Sequence, residues 1–357
     1  MAKLYECCTK ASSNIKQSDL KQCNGKYPIY GASGFIKNVD FYIQPKPYIA
    51  VVKDGAGVGR VMKLPAFSSV IGTLQYIIPN DNIDIDYLTY AMEAMNLAKY
   101  HSGATIPHIY FKDYCNEELR LYDKEIQNEI VDIISKVNNL LLKRNNQLSK
   151  LEELVKSRFV EMFGEDTNTD KTTINEVCSI ITDGTHQPPK FQKEGIPFIF
   201  VSNIAQNEIT YNAEKFISKQ TYNELVKRTP IEIGDILLST VGSYGHPAIV
   251  KENRKFLFQR HIAYLKPKQE KINSVYLYGA ILSHNVQKQI DEKVKGIAQK
   301  TLNLSEIRKI VIPLPKMNKQ TQFADFVKQV DKSKFEIEQS LEKLELLKKA
   351  LMQKYFG

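Results

Sequence analysis

Gln-Leu-Ser-Lys-Leu-Glu-Glu-Leu-Val-Lys-Ser-Arg-Phe-Val-Glu-Met-Phe-Gly, residues 147–164, and Ser-Leu-Glu-Lys-Leu-Glu-Leu-Leu-Lys-Lys-Ala-Leu-Met-Gln-Lys-Tyr-Phe-Gly, residues 340–357, are two versions of one segment. The match extends backward without a gap, so that residues 103–164 lie over 296–357 at an offset of 193. In this register Gly103 falls on Gly296, Gln127 on Gln320, Asp132 on Asp325 and Val137 on Val330. Leu148, Lys150, Leu151, Glu152, Leu154 and Lys156 fall on Leu341, Lys343, Leu344, Glu345, Leu347 and Lys349. Unrelated helices share heptad leucines by chance, but not also a Gln, an Asp, a Leu-Glu step and the final Phe163-Gly164 and Phe356-Gly357. Such self-similarity at a fixed period is the mark of duplication.

The spacing predicts two long helices. Ile130, Val137 and Leu151, and in the second copy Phe323, Val330, Ile337, Leu344 and Leu351, fall on a seven-residue repeat, with Ile134, Leu141, Leu148, Val155 and Met162 interleaved. This three-four stripe is a coiled-coil seam. The expected interface is Ile130, Val137, Leu141, Leu148, Leu151 and Val155 against Phe323, Val330, Ile337, Leu341, Leu344 and Leu351. A helix of about 39 residues is roughly 58 Å long and must bury its stripe. The nearest mate is its own duplicate, and an antiparallel pairing puts one module at each end. Arg144 and Arg158 stand where the second helix has Ile337 and Leu351, so the stripe is imperfect, and a polar seam residue can fix register. Two separate helices packed on their own domains remain the alternative.

What precedes each helix also matches, more loosely. Leu4-Tyr5-Glu6-Cys7 answers Ile174-Asn175-Glu176-Val177, and Tyr48 to Val52 before Gly55-Ala56-Gly57-Val58-Gly59 answers Asp235 to Leu238 before Gly242-Ser243-Tyr244-Gly245. Leu74 to Pro79 answers Ile262 to Pro267, and Tyr87-Leu88 answers Tyr276-Leu277. Short Ile/Val/Tyr/Phe runs between Gly, Pro, Asn and Asp predict strands, with a helix over 87–100 and another over 275–294. The expected class is α+β: two strand-rich modules at 1–122 and 165–314, each followed by a helical spacer at 123–164 and 315–357, related as a pseudo-twofold repeat. The loops of the two modules differ, as they must if each reads a different target.

A chain of 357 residues with 43% apolar content buries more than one core. The net charge of +9 and a pI near 9.0 favour a polyanionic partner. By segment there are 13 basic against 11 acidic residues in 1–122, 7 against 7 in 123–164, 20 against 16 in 165–314 and 9 against 6 in 315–357. No polybasic tail is present, so nucleic-acid contacts would come from folded surfaces. Cys7, Cys8, Cys23, Cys115 and Cys178 are odd in number and lack CxxC spacing, which argues against both a disulfide framework and a zinc site. The start Met1-Ala2-Lys3-Leu4-Tyr5 is not an apolar leader and no run is long enough to span a bilayer, so a cytoplasmic chain is expected.

Catalytic signatures are missing. Gly55 to Gly59 does not fit GxxxxGK[ST] or GxGxxG and reads as a strand-to-strand turn. There is no Asn-Pro-Pro-Tyr motif for amino-methylation and no carboxylate-lysine set for a metal nuclease; Asp291-Glu292-Lys293 reads as a solvated helix face. His101, His108, His186, His246, His261 and His284 never fall at ligand or triad spacing. The expectation is no catalytic residue, no metal and no cofactor. His186-Gln187 before Lys190 and Gln259-Arg260-His261 are instead donor-rich loops of the kind that read base edges.

Module, helix, module, helix resembles the DNA-specificity subunits of type I restriction-modification systems. Ile181-Thr182-Asp183-Gly184-Thr185-His186-Gln187-Pro188-Pro189, Gly195-Ile196-Pro197-Phe198 and Gly234-Asp235-Ile236-Leu237-Leu238-Ser239 look like one version of that family's target-recognition domain. Lys26-Tyr27-Pro28-Ile29-Tyr30-Gly31-Ala32-Ser33-Gly34 looks like another. Ile312-Pro313-Leu314-Pro315, then Gln320 and the coil, resembles its helical conserved region, from which the central copy departs with Leu121-Tyr122. The resemblance implies that each domain reads one half of a split double-stranded DNA site and that the paired helices set the unread gap. It also implies docked modification subunits, two of them, that bind S-adenosylmethionine and methylate adenine, and a translocating restriction subunit where cleavage occurs. Loop placement nominates Lys53, Arg60, Lys63 and Ser68 in the first module as DNA contacts. In the second it nominates His186, Lys190, Arg228, Ser243, Tyr244, His246, Arg254, Lys255, Arg260 and His261. A coiled-coil scaffold with two protein-binding modules, and a fused restriction enzyme, stay open as rivals; the second would need the missing nuclease and methyltransferase motifs.

Overall fold

A computed structural model of the chain describes residues 1–103, 107–164, 170–296 and 300–357. Two compact units emerge, one of Met1–Asn146 with Glu338–Gly357, the other of Gln147–Ile337. Each boundary falls inside one of two long helices, Lys124–Phe163 and Met317–Phe356, both of 40 residues and so about 60 Å in length. Each unit is therefore one globular module plus half of each helix.

In the first unit a four-stranded antiparallel sheet runs in the order Cys8–Ser12, Leu74–Pro79, Tyr48–Val52, Val61–Leu64. The strand Tyr48–Val52 is buried along its whole length, and the period of two divides it between two cores. Ile49 and Val51 face the helix Ile85–Ala94 with Leu4, Tyr87, Leu88 and Met92. Tyr48, Ala50 and Val52 face a smaller sheet of Gly34–Val39, Tyr27–Gly31 and Ser69–Val70, in which the last pair is parallel. A continuous apolar run is what a strand covered on both faces requires.

The second unit repeats this plan. Its main sheet runs Cys178–Asp183, Ile262–Pro267, Ile236–Ser239, Pro247–Ile249, and its smaller sheet Phe216–Ile217, Ile196–Ile199, Leu257–Phe258, again with a parallel last pair. Ile236 and Leu238 face the helical core while Leu237 faces the other. Every segment matched between the two modules in the sequence occupies the same station in the fold.

Two details differ from the helix expectations. The stretch 87–100 is the helix Ile85–Ala94, capped by the Asp84 carboxylate on the amides of Asp86 and Tyr87 (2.8 and 3.0 Å), then a tight turn Leu97–Tyr100. Left-handed Asn96 (φ +50°) separates them. The stretch 275–294 is two helices, Ser274–Leu282 and His284–Lys293, broken at extended Ser283, whose hydroxyl donates to the Ala280 carbonyl (2.7 Å). A serine that bonds back onto the preceding turn offers the chain an exit from the helix.

The duplicated glutamines turn out to be buried latches. The Gln127 side chain accepts from the Asp84 amide (2.8 Å) and donates to the carbonyls of Tyr122 (2.7 Å) and Asn82 (3.2 Å). Gln320 accepts from the Asn273 amide (2.8 Å) and donates to the Pro315 carbonyl (2.8 Å). Each thus ties the start of a long helix to the cap of its module's helix. Tyr122 replaces Pro315 at no loss because only its backbone carbonyl is used. Tyr87 and Tyr276 likewise donate to the carbonyls of Arg120 and Pro313, both at 2.7 Å.

The long helices pair antiparallel within each unit. In the first, Leu351, Met352, Tyr355 and Phe356 pack on the core that contains Ile130 and Ile134, and Arg120 donates to the Lys354 carbonyl (2.9 Å). In the second, Phe159 and Phe163 meet Phe323 at ring separations of 5.3 and 5.8 Å, while Glu152 faces Lys334 at 3.6 Å. Of the twelve expected seam residues, Ile130, Val137, Leu141, Phe323 and Val330 are buried, and Leu148, Leu151, Val155, Ile337, Leu341, Leu344 and Leu351 half-buried. The alternative of helices packed on their own domains is partly realised too, since each end of the pair also joins its module's core. Arg158 is accommodated at the edge of the seam by Glu161 (2.7 Å) and by the face of Phe326.

Candidate nucleic-acid interface

The loop that leaves the central strand is held in the same way in both modules. Lys53 accepts from Ile109, and the Gly55 amide donates to Pro107. Thr240 accepts from Leu302, and Gly242 donates to Lys300. The loop closes where Val52 donates to Arg60 and, in the second module, Ser239 donates to His246. Arg60 and His246 thus stand at one equivalent station in loops of different sequence. Gly55, Gly57 and Gly59 have φ of +85°, +86° and +84° and join antiparallel strands, so the glycine run is the turn expected and not a phosphate cradle. A Cβ on Gly59 would lie 2.4 Å from the Ala98 nitrogen, a second reason for glycine there.

In the second module the Asp183-Gly184-Thr185-His186 turn is built on a close backbone approach. A Cβ on Gly184 would lie 2.2 Å from the Phe258 carbonyl oxygen, so only glycine lets the turn cross there. Thr185 then donates to Phe258 and accepts from Arg260, which brings His186 to the side of the Arg260-His261 loop. Asp183 binds Arg228 in an ion pair and His186 at 2.9 Å. Arg228 also lies 3.3 Å from both the Thr182 hydroxyl and the His186 ring. Among the described residues these contacts fall on Nε and Nη2 and orient the guanidinium. His261 is half-buried, and burial, then the neighbouring Arg260, hold its pKa below the usual histidine value.

The remaining nominated residues distribute as follows. Arg60, Lys63, Lys190, Ser243, Arg254, Lys255 and Arg260 are exposed. Arg254 lies over the Tyr211 ring at 4.7 Å and Lys255 over Tyr222 at 5.9 Å. Tyr244 donates to Asp291 (3.0 Å), and His246 faces Asn207 (3.2 Å). Lys53 is half-buried beside Asp54 (3.9 Å), and Lys63 pairs with Asp86 (2.6 Å) in the first turn of the helix it packs beside.

Ser68 must be withdrawn as a surface contact. It is fully buried; its hydroxyl donates to the Pro65 carbonyl (2.6 Å) and lies 3.0 Å from the Tyr48 hydroxyl. The Gly234-Asp235 step is likewise architectural. The buried Asp235 carboxylate accepts from the Glu232 amide and the Tyr264 hydroxyl (both 2.7 Å), and burial raises its pKa despite these bonds.

Averaging charge over whole modules concealed a segregation. Residues 21–70 hold seven Lys or Arg against two Asp, whereas the rest of 1–122 holds six against nine. The basic stretch thus runs through the smaller sheet, with Lys21, Lys26, Lys37 and Lys46, and on into the Tyr48–Leu64 hairpin of the main sheet, with Lys53, Arg60 and Lys63. Among the described residues, no three His, Cys, Asp or Glu form a metal-binding group, and no helix is long and apolar enough to cross a membrane.

The family model described as the type I restriction modification DNA specificity domain matches residues 1–153 and again 167–348. The chain belongs to the type I restriction-modification DNA specificity family. The two matched blocks coincide with the two copies of the repeat, each a module with most of its helix. In this family the chain is 28% identical over 177 residues to the EcoBI specificity subunit of Escherichia coli, covering 48% of this chain and 37% of that relative. It is 23% identical over 355 residues to the MjaVIII specificity subunit of Methanocaldococcus jannaschii, covering 88% and 81%. The fold is similar to the S subunit of a type I restriction-modification system from M. genitalium, with a TM-score of 0.60 at 15% identity over 100% of this chain and 95% of that one. A second structure, from work on complex assembly and conformational transition of the type I system, matches with a TM-score of 0.58 at 15% identity over 99% and 96%. The resemblance read from the motifs is that of the family itself.

Proposed function

We propose that this chain is the DNA-reading subunit of a type I restriction-modification assembly and supplies recognition, with the chemistry left to its partners. Each module reads one half of a split duplex site, and the helices set the gap that goes unread. The observation that carries this reading is one frame with two unlike loops: Arg60 and His246 at the same station, and the Asp183, His186, Arg228 and Arg260 cluster in the second module alone. Phosphate contacts position a protein on DNA, while donors aimed at base edges give sequence.

Selection of bound duplexes from a random-sequence pool, using the full chain with its modification subunits, tests the proposal. Two separated blocks of preferred bases are expected. Arg260→Ala and Arg228→Ala should each relax preference within one block by about 1–3 kcal/mol at a base-reading position. If a residue contacts phosphate instead, all sequences weaken alike; if binding to every duplex is unchanged, that residue is no contact.

Modification subunits, bringing S-adenosylmethionine, are proposed to dock on the outer faces of the helices. Ile126, Ile133 and Leu140 are exposed at seven-residue intervals in the first unit, and Leu154, Val160 and Phe335 are exposed in the second. Exposed apolar residues at regular spacing mark a partner surface. The same stripe is what a coiled-coil scaffold would have, and failure of the complex to select any DNA favours that second reading. A restriction subunit, where present, would join the same assembly.

A further inference from the structure

The first module carries an aromatic ridge that its loop nominations did not include. The segments 40–47 and 65–68 are zipped together: Gln44 and Ser68 exchange backbone hydrogen bonds at 3.1 and 3.3 Å, and the Ile43 amide donates to the Ser69 hydroxyl (2.9 Å). Buried Ser68 pins this zipper from beneath. The result presents Tyr42, Ile43 and Phe67 to the outside, each 40–50% exposed. Tyr42 sits edge-on between the rings of Tyr27 (4.8 Å) and Phe67 (5.2 Å), and Lys26 caps Tyr27 at 5.2 Å. Phe67 holds a left-handed backbone (φ +53°), a conformation that bulky residues rarely adopt. Such strain persists where the surroundings over-determine it, and it concentrates at binding sites.

From this we infer that Phe67 and Tyr42 form an apolar wedge with which the first module contacts the bases of its half-site in duplex DNA. The inference rests on the DNA-reading proposal and adds to it the residues that do the reading in this module. Charge decides for DNA over an apolar protein partner. The ridge lies in the stretch 21–70, with its seven Lys or Arg against two Asp, and Lys26 and Lys46 flank the aromatic residues. Basic residues around exposed rings fit a phosphate backbone with bases between, because every base offers a π-face and an apolar wedge can open a base step.

The test uses the full chain with its modification subunits and a pool of random-sequence duplexes, comparing Phe67→Gly, Phe67→Ala and Tyr42→Ala with Phe35→Ala, an exposed aromatic outside the ridge. Glycine suits a positive φ, so Phe67→Gly keeps the fold while removing the ring. Ridge variants should bind about 10- to 100-fold more weakly with an unchanged salt slope, since no phosphate contact is lost. The preferred bases of one half-site should fade, and 2-aminopurine placed there should lose its unstacking signal. Wild-type binding by Phe67→Gly, a weakened salt slope, or loss of the modification subunits in place of DNA overturns the wedge. If the unaltered complex binds no duplex at all, the DNA-reading proposal fails first and the wedge with it.

Discussion

Replacing Phe323 with alanine is expected to destabilise the second unit by about 3–5 kcal/mol, the range for removing a buried aromatic ring. The ring is 1% exposed and sits against Phe159 and Phe163, of which Phe159 stacks on Tyr276 and Phe163 meets it edge-on. A Cβ added to Gly279 would come within 3.0 Å of both Phe159 and Phe323, so the module's helix is already at its closest approach to the pair. Collapse into the void is therefore limited, and a limited collapse puts the cost at the upper end. Urea unfolding of the full chain reads the change. Phe335→Ala is the control, because that ring is 58% exposed and its loss should stay within about 0.5 kcal/mol. Equal costs for the two variants would mean that the aromatic cluster does not hold the helices to the second module.

Gln127→Leu and Gln320→Leu should each cost about 1–3 kcal/mol, because leucine removes the hydrogen bonds of a fully buried side chain and leaves part-buried backbone groups without that partner. Gln127 leaves the Asp84 amide and the Tyr122 and Asn82 carbonyls; Gln320 leaves the Asn273 amide and the Pro315 carbonyl. The two variants should resemble one another in size, with the first affecting the first unit and the second the other, as amide hydrogen exchange would show. A large cost for one and none for the other would contradict the duplication of the latch.

Much of the fold was legible because long helices advertise themselves. A seam must repeat every three or four residues to stay buried, and twelve seam positions followed from that rule alone. Gln127 and Gln320 could be matched as letters, but their role depends on Asp84 and Asn273, which are far away in sequence and meet them only through tertiary packing. The break at Ser283 was hidden for a similar reason, since the apolar pattern continues through it while a serine hydroxyl turns the backbone aside.

The candidate site was less legible. Ser68 looks like ordinary loop polarity, and nothing near it in sequence announces that the Tyr48 hydroxyl lies beneath it. Tyr42 and Phe67 look like core residues until two loops zip together and leave their rings outside. The Asp183, His186 and Arg228 cluster joins residues 45 positions apart, and the Gly184 crossing that permits it could be quoted as a motif without its geometry.

That two dissimilar readers share one duplex is tested most directly by mapping methylated adenine across DNA from cells that express this chain with its modification subunits. Arg60→Ala and Arg260→Ala are mapped beside the unaltered chain. The expected map is one split motif with a fixed unread interval, in which Arg60→Ala loosens one half only and Arg260→Ala the other only. A single unbroken motif, or the same half loosened by both substitutions, would contradict the account.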